Sequence, residues 1–128
     1  MKKLIDYAKD AAKMAYAPYS QFAVGAALES TSGRIFTGCN VENASYGLTN
    51  CAERTAIFKA VSEGERTFRR MAIWVDSDTL FTPCGACRQV ISEFSDDLEI
   101  IIYSRNEELH TTIAELLPHS FSLHKDHS

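Results

Sequence analysis

The feature that most restricts how this chain of 128 residues can fold is the placement of three cysteines at the starts of two predicted helices. The first segment reads TNCAERTAIF (49–58) and the second reads FTPCGACRQV (81–90). A thiol at a helix N-terminus lies in positive electrostatic potential, which lowers its pKa and favours the thiolate that metals bind. Cys84 and Cys87 are three residues apart on one helical face, so their sulfurs can converge. The pattern therefore predicts a metal site built from helix starts.

The residues that precede the cysteines define where both helices should begin. Thr82 is a favourable N-cap residue, and Pro83 suits the first helical position, where its missing N–H costs nothing. Asn50 is predicted to cap the helix that begins at Cys51 in the same way. Each thiol is therefore expected in the first turn of its helix.

The rest of the chain alternates between helical and strand-like patterns. Helical periodicity occurs at residues 2–16, 51–63 and 84–94, and a capping box predicts a last helical turn that starts at Thr112, with Glu115 three residues later. Strand-like runs occur at 22–30, 34–39, 71–76 and 98–104, with a weak edge strand near 109–112. This order predicts an α/β layer fold in one domain, residues 1–128.

Loop lengths predict how the strands pair. A tight turn at Ser32-Gly33 should join residues 22–30 and 34–39 as an antiparallel hairpin. Each strand–helix–strand connection should be a right-handed crossover between parallel strands. The link RNEE (105–108) is too short for such a crossover, so the last strand should run antiparallel to its neighbour.

Composition excludes several kinds of function. The net charge of −4 at pH 7 offers no basic surface, so a nucleic-acid partner is disfavoured. No apolar run approaches the roughly 18 residues of a membrane span, and charges such as Asp6 and Lys9 interrupt the N-terminal apolar stretch, so we expect no signal peptide. A cytoplasmic location is therefore expected, in which the four cysteines serve as metal-bound, catalytic or buried thiols rather than disulfides.

The number of ligands distinguishes a catalytic zinc site from a structural one. Zinc is the leading candidate for three thiolates; a catalytic zinc ion keeps one position open for water, whereas a structural one is closed by four protein ligands. A fourth ligand would have to be Cys39, at the end of a predicted strand, or one of the histidines His110, His119, His124 and His127. We favour an open three-cysteine site with Cys39 as a small buried residue. The alternative is a non-catalytic zinc module that Cys39 closes.

Two residues beside Cys51 each allow two interpretations. Glu53 either completes a capping box with Asn50 or transfers protons to and from a water on the metal, and the downstream cysteine motif favours the second role. Arg54 is either an exposed surface residue or a hydrogen-bond donor to the thiolates that offsets their excess negative charge. We favour the second role, in which Arg54 offsets the negative charge of the thiolates. A lysine could not fill this role equally well, because it lacks the forked donor geometry of the guanidinium.

The combination of Cys51-Ala52-Glu53 with Pro83-Cys84-Gly85-Ala86-Cys87 resembles the signature of the zinc-dependent nucleobase and nucleoside deaminases. Four segments are similar to the small homotetrameric cytidine deaminases: AYAPYSQFAVGAAL (15–28), GCNVENASYG (38–47), NCAERTA (50–56) and PCGACRQV (83–90). The resemblance implies a three-layer α/β/α fold with a five-stranded mixed sheet and one Zn²⁺ per subunit. It also implies hydrolytic deamination of cytidine and deoxycytidine to uridine and deoxyuridine plus ammonia, as in pyrimidine salvage.

The resemblance further implies roles for individual residues. Cys51, Cys84 and Cys87 correspond to the zinc ligands, and Glu53 corresponds to the proton carrier. The substrate-binding positions are Phe22 against the pyrimidine, Asn40 and Glu42 at the ribose hydroxyls, the backbone of Ala52 at the base, and Tyr46 and Phe121 from a neighbouring subunit.

The sequence allows alternatives for the role of Phe22 and for the class of substrate. Phe22 can equally be an inward-facing strand residue of the core. Glu42 favours a nucleoside over a nucleotide, because a carboxylate repels phosphate. A nucleic-acid deaminase of the same chemistry is disfavoured by the acidic charge balance. A deaminase for a related base or nucleoside antibiotic is a further alternative.

Overall fold

The computed structural model describes residues 2–118. Within this range the helices are α1 (Leu4–Ala12), α2 (Ala52–Ser62), α3 (Gly85–Phe94) and α4 (Ile113–Leu116), with a short 3-10 turn at Tyr46–Leu48. The strands are β1 (Val24–Ser30), β2 (Ile35–Cys39), β3 (Phe68–Val75), β4 (Glu99–Tyr103) and β5 (Glu108–Thr112).

The five strands form one mixed sheet in the order β2-β1-β3-β4-β5. Strand β1 is antiparallel to both β2 and β3, so the connection from β2 through α2 to β3 joins parallel strands. Strand β4 is parallel to β3, and β5 runs antiparallel to β4. The predicted hairpin, the parallel crossovers and the antiparallel last strand are all confirmed.

Helices cover the two faces of the sheet separately, because successive strand residues point to opposite sides. On one face, Ala8 of α1 packs against Ala27 and Ala72. On the other face, α2, α3 and α4 pack against a larger apolar cluster that includes Leu28, Met71, Ile73, Ile100 and Ile102. Full burial of a large aliphatic side chain of this kind stabilises a fold by about 1.5–3 kcal/mol. The structure confirms the three-layer α/β/α fold.

Two glycines let helices lie unusually close to the sheet. A Cβ at Gly25 would lie 1.9 Å from the carbonyl oxygen of Ala8 in α1. A Cβ at Gly38 would lie 2.5 Å from both the carbonyl oxygen of Ala52 and the amide nitrogen of Ala56. Because Ala52 is the first residue of α2, Gly38 determines how closely the start of that helix approaches β2.

Helix α1 is shorter than the predicted range 2–16. It ends at Ala12, and the next residues turn away to pair with a different segment. The amide of Tyr16 donates a hydrogen bond of 3.0 Å to the carbonyl oxygen of Asn40, and Tyr16 forms a parallel bridge with Val41. Pairing with a distant segment therefore replaces the last helical turn that periodicity alone predicts.

The predicted N-caps of α2 and α3 are wrong by one or two residues. Cys51 and Cys84 themselves occupy the N-cap positions, with extended backbone conformations. The side-chain Nδ2 of Asn50 donates to the Thr55 hydroxyl at 3.0 Å, and the side chain does not cap the helix. The Thr82 hydroxyl accepts a hydrogen bond from Arg88. By contrast, the predicted cap of α4 is confirmed, since the Thr112 hydroxyl accepts from the amide of Glu115 at 3.3 Å.

Candidate active site

The starts of α2 and α3 bring three sulfur atoms together. The Sγ atoms of Cys51 and Cys84 are 3.8 Å apart, and those of Cys84 and Cys87 are 3.4 Å apart. All three lie within 4.8 Å of one another. A tetrahedral zinc ion with Zn–S bonds of about 2.3 Å places its sulfurs about 3.8 Å apart. The donor set and its spacing therefore fit zinc.

No fourth Cys, His, Asp or Glu joins this cluster among residues 2–118. Cys39 is a free, half-buried thiol on β2, opposite Gly25 in the β1–β2 register, so it neither closes the metal site nor is fully buried as expected. His110 lies on β5 beside Glu108. The other three histidines lie outside the described residues. In this part of the chain the site has the three-ligand composition typical of catalytic zinc.

Negative charge at the cluster is concentrated on Cys51. Hydrogen bonds from Cys87, Arg54 and Cys84, of which the one from Cys87 is strongest, lower the pKa of the Cys51 thiol to about 5. The same hydrogen bond to Cys51, together with burial, raises the pKa of Cys87. A thiolate at Cys51 is therefore present at neutral pH, whereas Cys87 keeps its proton until a metal displaces it.

Arg54 is the cation closest in sequence to this thiolate. Its Nη2 lies 3.5 Å from Sγ of Cys51 and 3.3 Å from the carbonyl oxygen of Thr49. Its Nε is buried and has no hydrogen-bond partner among the described residues. The pKa of Arg54 is raised, first by the hydrogen bond to Cys51, so the guanidinium keeps its positive charge beside the sulfurs.

The carboxyl group of Glu53 is buried in the first turn of α2, with only 5% of the residue exposed. Burial raises its pKa to about 7, and the nearby charge of Cys51 contributes in the same direction. A carboxyl group with a pKa near neutrality can both accept and donate a proton. The capping-box interpretation of Glu53 is not observed, because Asn50 is not the N-cap.

A cavity of about 260 Å³ connects the thiols with the predicted substrate-binding residues. Its lining includes Asn40, Glu42, Tyr46, Ala52 and Glu53. The volume is slightly below the range of about 300–1,000 Å³ that is typical of ligand pockets, which suits a small ligand. Asn40, Glu42 and Ala52, which are predicted to bind substrate in their own subunit, therefore line the same cavity as Glu53. Tyr46 also lines this cavity, although the resemblance implies that it serves the pocket of a neighbouring subunit.

Phe22 lies at the edge of this cavity rather than in the core. The residue is 42% exposed, which contradicts the interpretation as an inward-facing core residue. Its ring contacts Phe81 edge-to-face, with the ring centroids 5.4 Å apart. Phe81 lines the cavity directly. The other predicted aromatic contact, Phe121, lies outside the described residues.

Asn40 and Glu42 hold the loop that precedes β1. The side-chain amide of Asn40 donates to the carbonyl oxygen of Phe22 at 2.8 Å and accepts from the amide of Val24 at 2.9 Å. The Glu42 carboxylate accepts hydrogen bonds from the Ser20 hydroxyl and from the backbone amides of Ser20 and Tyr19. These bonds, led by that of the Ser20 hydroxyl, lower the pKa of Glu42 and keep it ionised. The contact of Asn40 and Glu42 with the ribose hydroxyls stays a prediction.

Seven residues of the cavity wall were not predicted from the sequence, namely Ser20, Val24, Thr49, Ile73, Val75, Phe81 and Thr82. Ser20 belongs to the segment 15–28 that resembles the cytidine deaminases but has no predicted role of its own, and Thr82 is predicted only as a helix cap. A usable signal existed for Phe81 and Thr82, because residues directly before a metal ligand are held close to the metal. No comparable signal marked Ser20, whose position depends on its hydrogen bond to Glu42.

A three-layer α/β/α fold that collects three thiols and a buried carboxyl at the starts of two helices defines the zinc-dependent deaminase class of enzymes. Comparison with known proteins agrees with this class. Residues 1–104 match the family model described as the cytidine and deoxycytidylate deaminase zinc-binding region. The chain belongs to this family.

Individual relatives extend the similarity over most of the chain. The cytidine deaminase of Sporosarcina psychrophila is 51% identical over 127 residues, covering 95% of this chain and 91% of the relative. The cytidine deaminase of Halalkalibacterium halodurans is 48% identical over 121 residues, covering 93% and 92%. The crystal structure of cytidine deaminase from Burkholderia pseudomallei superimposes with a TM-score of 0.88 at 48% identity, covering 92% of this chain and 96% of that chain.

A membrane span requires a helix of about 20 predominantly apolar residues. None of the helices between residues 2 and 118 has both the length and the apolar character needed to cross a bilayer.

Proposed function

We propose that this chain catalyses the zinc-dependent hydrolytic deamination of cytidine and deoxycytidine, with uridine or deoxyuridine and ammonia as products. The observation that carries the proposal is the buried carboxyl of Glu53, which lines the same cavity as Cys51 and Cys84. Sequence identity of 51% to a cytidine deaminase supports the same reaction. We further propose that residues 1–128 form one catalytic domain that acts in pyrimidine salvage.

Cys51, Cys84 and Cys87 would hold the zinc ion, one per subunit. When bound, zinc supplies Lewis acidity that lowers the pKa of a coordinated water from 15.7 to about 7. Three thiolates carry more negative charge than the ion carries positive charge, which weakens this effect. The hydrogen bond from Arg54 to Cys51 withdraws charge from the sulfur and thereby helps to restore the acidity.

Glu53 carries the protons of the reaction. It takes a proton from the attacking water, whose oxygen bonds to the ring carbon that bears the amino group, and delivers that proton to the adjacent ring nitrogen. It then moves the remaining proton of the new hydroxyl to the amino group as the carbon–nitrogen bond breaks. Ammonia leaves and the ring carbon becomes a carbonyl, so that one water is consumed for each ammonia released. A carboxyl pKa of about 7 suits both transfers at neutral pH.

The cavity lining supports a nucleoside substrate rather than a nucleotide. In this proposal Asn40 and Glu42 would contact the sugar, and the backbone of Ala52 would contact the base. Phe22 and Phe81, whose rings touch, would form the rim beside the base. No Lys or Arg is among the described residues that line this cavity. An ionised Glu42 would repel a phosphate group, which disfavours deoxycytidylate relative to deoxycytidine.

We also propose that the protein is a cytoplasmic homotetramer that acts on free nucleosides. Large apolar side chains are exposed around the cavity in the described part of the chain: Tyr46 (89%), Leu48 (71%), Tyr19 (62%) and Phe81 (42%). Large apolar side chains exposed beside a cavity favour an association site. A neighbouring copy would cover this rim and contribute Tyr46 and Phe121 to the pocket.

A spectrophotometric assay tests the proposed function. The purified chain should convert cytidine and deoxycytidine, with much less activity on free cytosine or deoxycytidylate. A zinc chelator should abolish the activity, and added zinc should restore it. Absence of turnover with both nucleosides in zinc-loaded protein would refute the proposal. Preference for deoxycytidylate would instead contradict the assigned role of Glu42.

A further inference from the structure

We propose that Arg88 is a positioning residue that holds the cavity wall formed by Phe81 and Thr82 in the place where substrate binds. The inference rests on the proposed deaminase function. Arg88 is not among the residues proposed to bind zinc, transfer protons or contact substrate. Arg88 directly follows Cys87 in α3 and is half-buried. It does not line the cavity, so it acts through its partners.

All three nitrogens of the Arg88 guanidinium donate hydrogen bonds. Nε donates to the carbonyl oxygen of Pro83 at 2.7 Å, and Nη2 donates to the Thr82 hydroxyl at 2.9 Å. Nη1 donates to the carbonyl oxygen of Leu116, at the end of α4, at 2.8 Å. One rigid planar group therefore joins three segments: the loop before α3, α3 itself and α4.

Few other hydrogen bonds hold the loop that Arg88 contacts. Residues 80–83 lie between β3 and α3 and belong to no helix or strand. Among the described residues, the hydrogen bonds to Thr82 and Pro83 come from Arg88. Thr82 and Phe81 both line the cavity, and Phe81 also contacts Phe22. Loss of the guanidinium would therefore release the wall while leaving Glu53 and the thiols in place.

This arrangement predicts an effect on substrate binding rather than on the chemical step. Lysine keeps the positive charge of Arg88 but cannot donate to three separated acceptors at once. The wall should then sample positions that bind substrate poorly, which raises KM. A residue that only stabilised the fold would lower the active fraction, and with it the apparent kcat, while the molecules that remained folded would keep their KM.

The test compares Arg88→Lys, Thr82→Val and the double variant with wild type, using cytidine as substrate. For Arg88→Lys we expect KM to rise about tenfold, kcat to change less than about twofold, and zinc content to stay at the wild-type level. Thr82→Val should raise KM by about threefold in wild type and by less in the Arg88→Lys background, because both changes remove the same hydrogen bond. Unchanged KM in Arg88→Lys, or loss of zinc as its main effect, would overturn the inference.

Arg105→Lys is the matched control. Arg105 also donates three hydrogen bonds, but to Asp76 and Asp78, at the start of the same loop and outside the cavity lining. Its backbone amide still anchors Ser77 in the variant. Arg105→Lys should leave KM unchanged. An equal rise in KM for both variants would mean that general loosening of the loop, and not the specific loss of the Arg88 hydrogen bonds, displaces Phe81 and Thr82.

Amide hydrogen exchange separates failure of this inference from failure of the proposed function. Exchange of the Arg88 amide, which donates to the carbonyl oxygen of Cys84 at 2.9 Å in the first turn of α3, should be faster in Arg88→Lys than in wild type, whether or not cytidine is the substrate. If wild type fails to convert cytidine, the deaminase proposal fails, and exchange still decides whether Arg88 holds the wall. If Arg88→Lys does not fold, Thr82→Val carries the test, and an unchanged KM and exchange rate in that variant would refute the inference.

Discussion

Nη2 of Arg54 lies 3.5 Å from Sγ of Cys51. The two residues belong to the first turn of one helix, where the N-cap cysteine and the third helical residue come close. This contact places a permanent positive charge against the Cys51 thiolate, whose pKa is lowered to about 5. Several consequences of the site geometry can be tested directly.

Removal of the Arg54 charge should reduce turnover more than metal content. A hydrogen bond to a charged group contributes about 1.5–3 kcal/mol, so Arg54→Gln should lower kcat by about 10- to 100-fold. Zinc content by atomic absorption should stay near one per chain, because the three thiols are unchanged. Arg54→Lys serves as the charge-preserving control and should lose less activity. Equal losses in the two variants would mean that geometry, not charge, is the contribution of Arg54.

Replacement of the Glu53 carboxyl should separate proton transfer from metal binding. Glu53→Gln keeps the size of the side chain but cannot accept the proton, so turnover should fall by about a hundredfold or more. Zinc content should match that of wild type, since Glu53 is not a member of the thiol cluster. Near-normal turnover in this variant would refute the assigned role.

The two cysteine interpretations make opposite predictions for zinc content. Cys84→Ala removes one of the three clustered sulfurs and should abolish stoichiometric zinc binding together with activity. Cys39→Ala should keep zinc and activity, because Cys39 lies outside the cluster on β2. Loss of zinc from Cys39→Ala would instead support the alternative of a non-catalytic zinc module in which Cys39 is the fourth ligand.

Zinc affinity should rise with pH. The Cys51 thiol, with a pKa of about 5, is already a thiolate at neutral pH, whereas the raised pKa of Cys87 means that this thiol is protonated before the metal binds. Zinc must displace that proton, so binding releases protons and is favoured as their concentration falls. Competition with a chelator at pH 6 and pH 8 should show tighter binding at pH 8, and titration calorimetry in buffers of different ionisation enthalpy should report proton release. Affinity that is flat over this range would contradict the assignment.

Gly38→Ala should destabilise the fold near the metal site. Its new methyl group would overlap the backbone of Ala52 and Ala56, and overpacking of this kind typically costs about 1–3 kcal/mol. The thermal midpoint should fall, and zinc release should become faster because α2 is pushed away from β2. Gly47→Ala is the control, since a Cβ there meets no atom within 4 Å. Equal midpoints for the two variants would show that α2 tolerates the shift.

Local patterns in the sequence determined the helices, the strands and the thiol cluster of this protein. Apolar periodicity located all five strands and the helices within a few residues, and the Ser32-Gly33 turn identified the hairpin. The spacing of Cys84 and Cys87 predicted converging sulfurs, because residues three apart share a helical face. The position of Cys51 at the start of the preceding helix predicted the third sulfur. These features depend on neighbours along the chain, which the sequence records directly.

Other features were decided only by the tertiary structure. Phe81 and Thr82 line the cavity because the start of α3 lies next to the start of α2. Arg88 donates to the carbonyl oxygen of Leu116 because α4 packs against α3. Asn40 and Glu42 came to hold the loop around Ser20, some twenty residues earlier in the chain. Loops have no periodicity, and their hydrogen bonds go to whichever donors and acceptors the packed layers bring near. For that reason the sequence determined which thiols form the cluster that could hold a metal, whereas packing decided which residues shape the pocket around it.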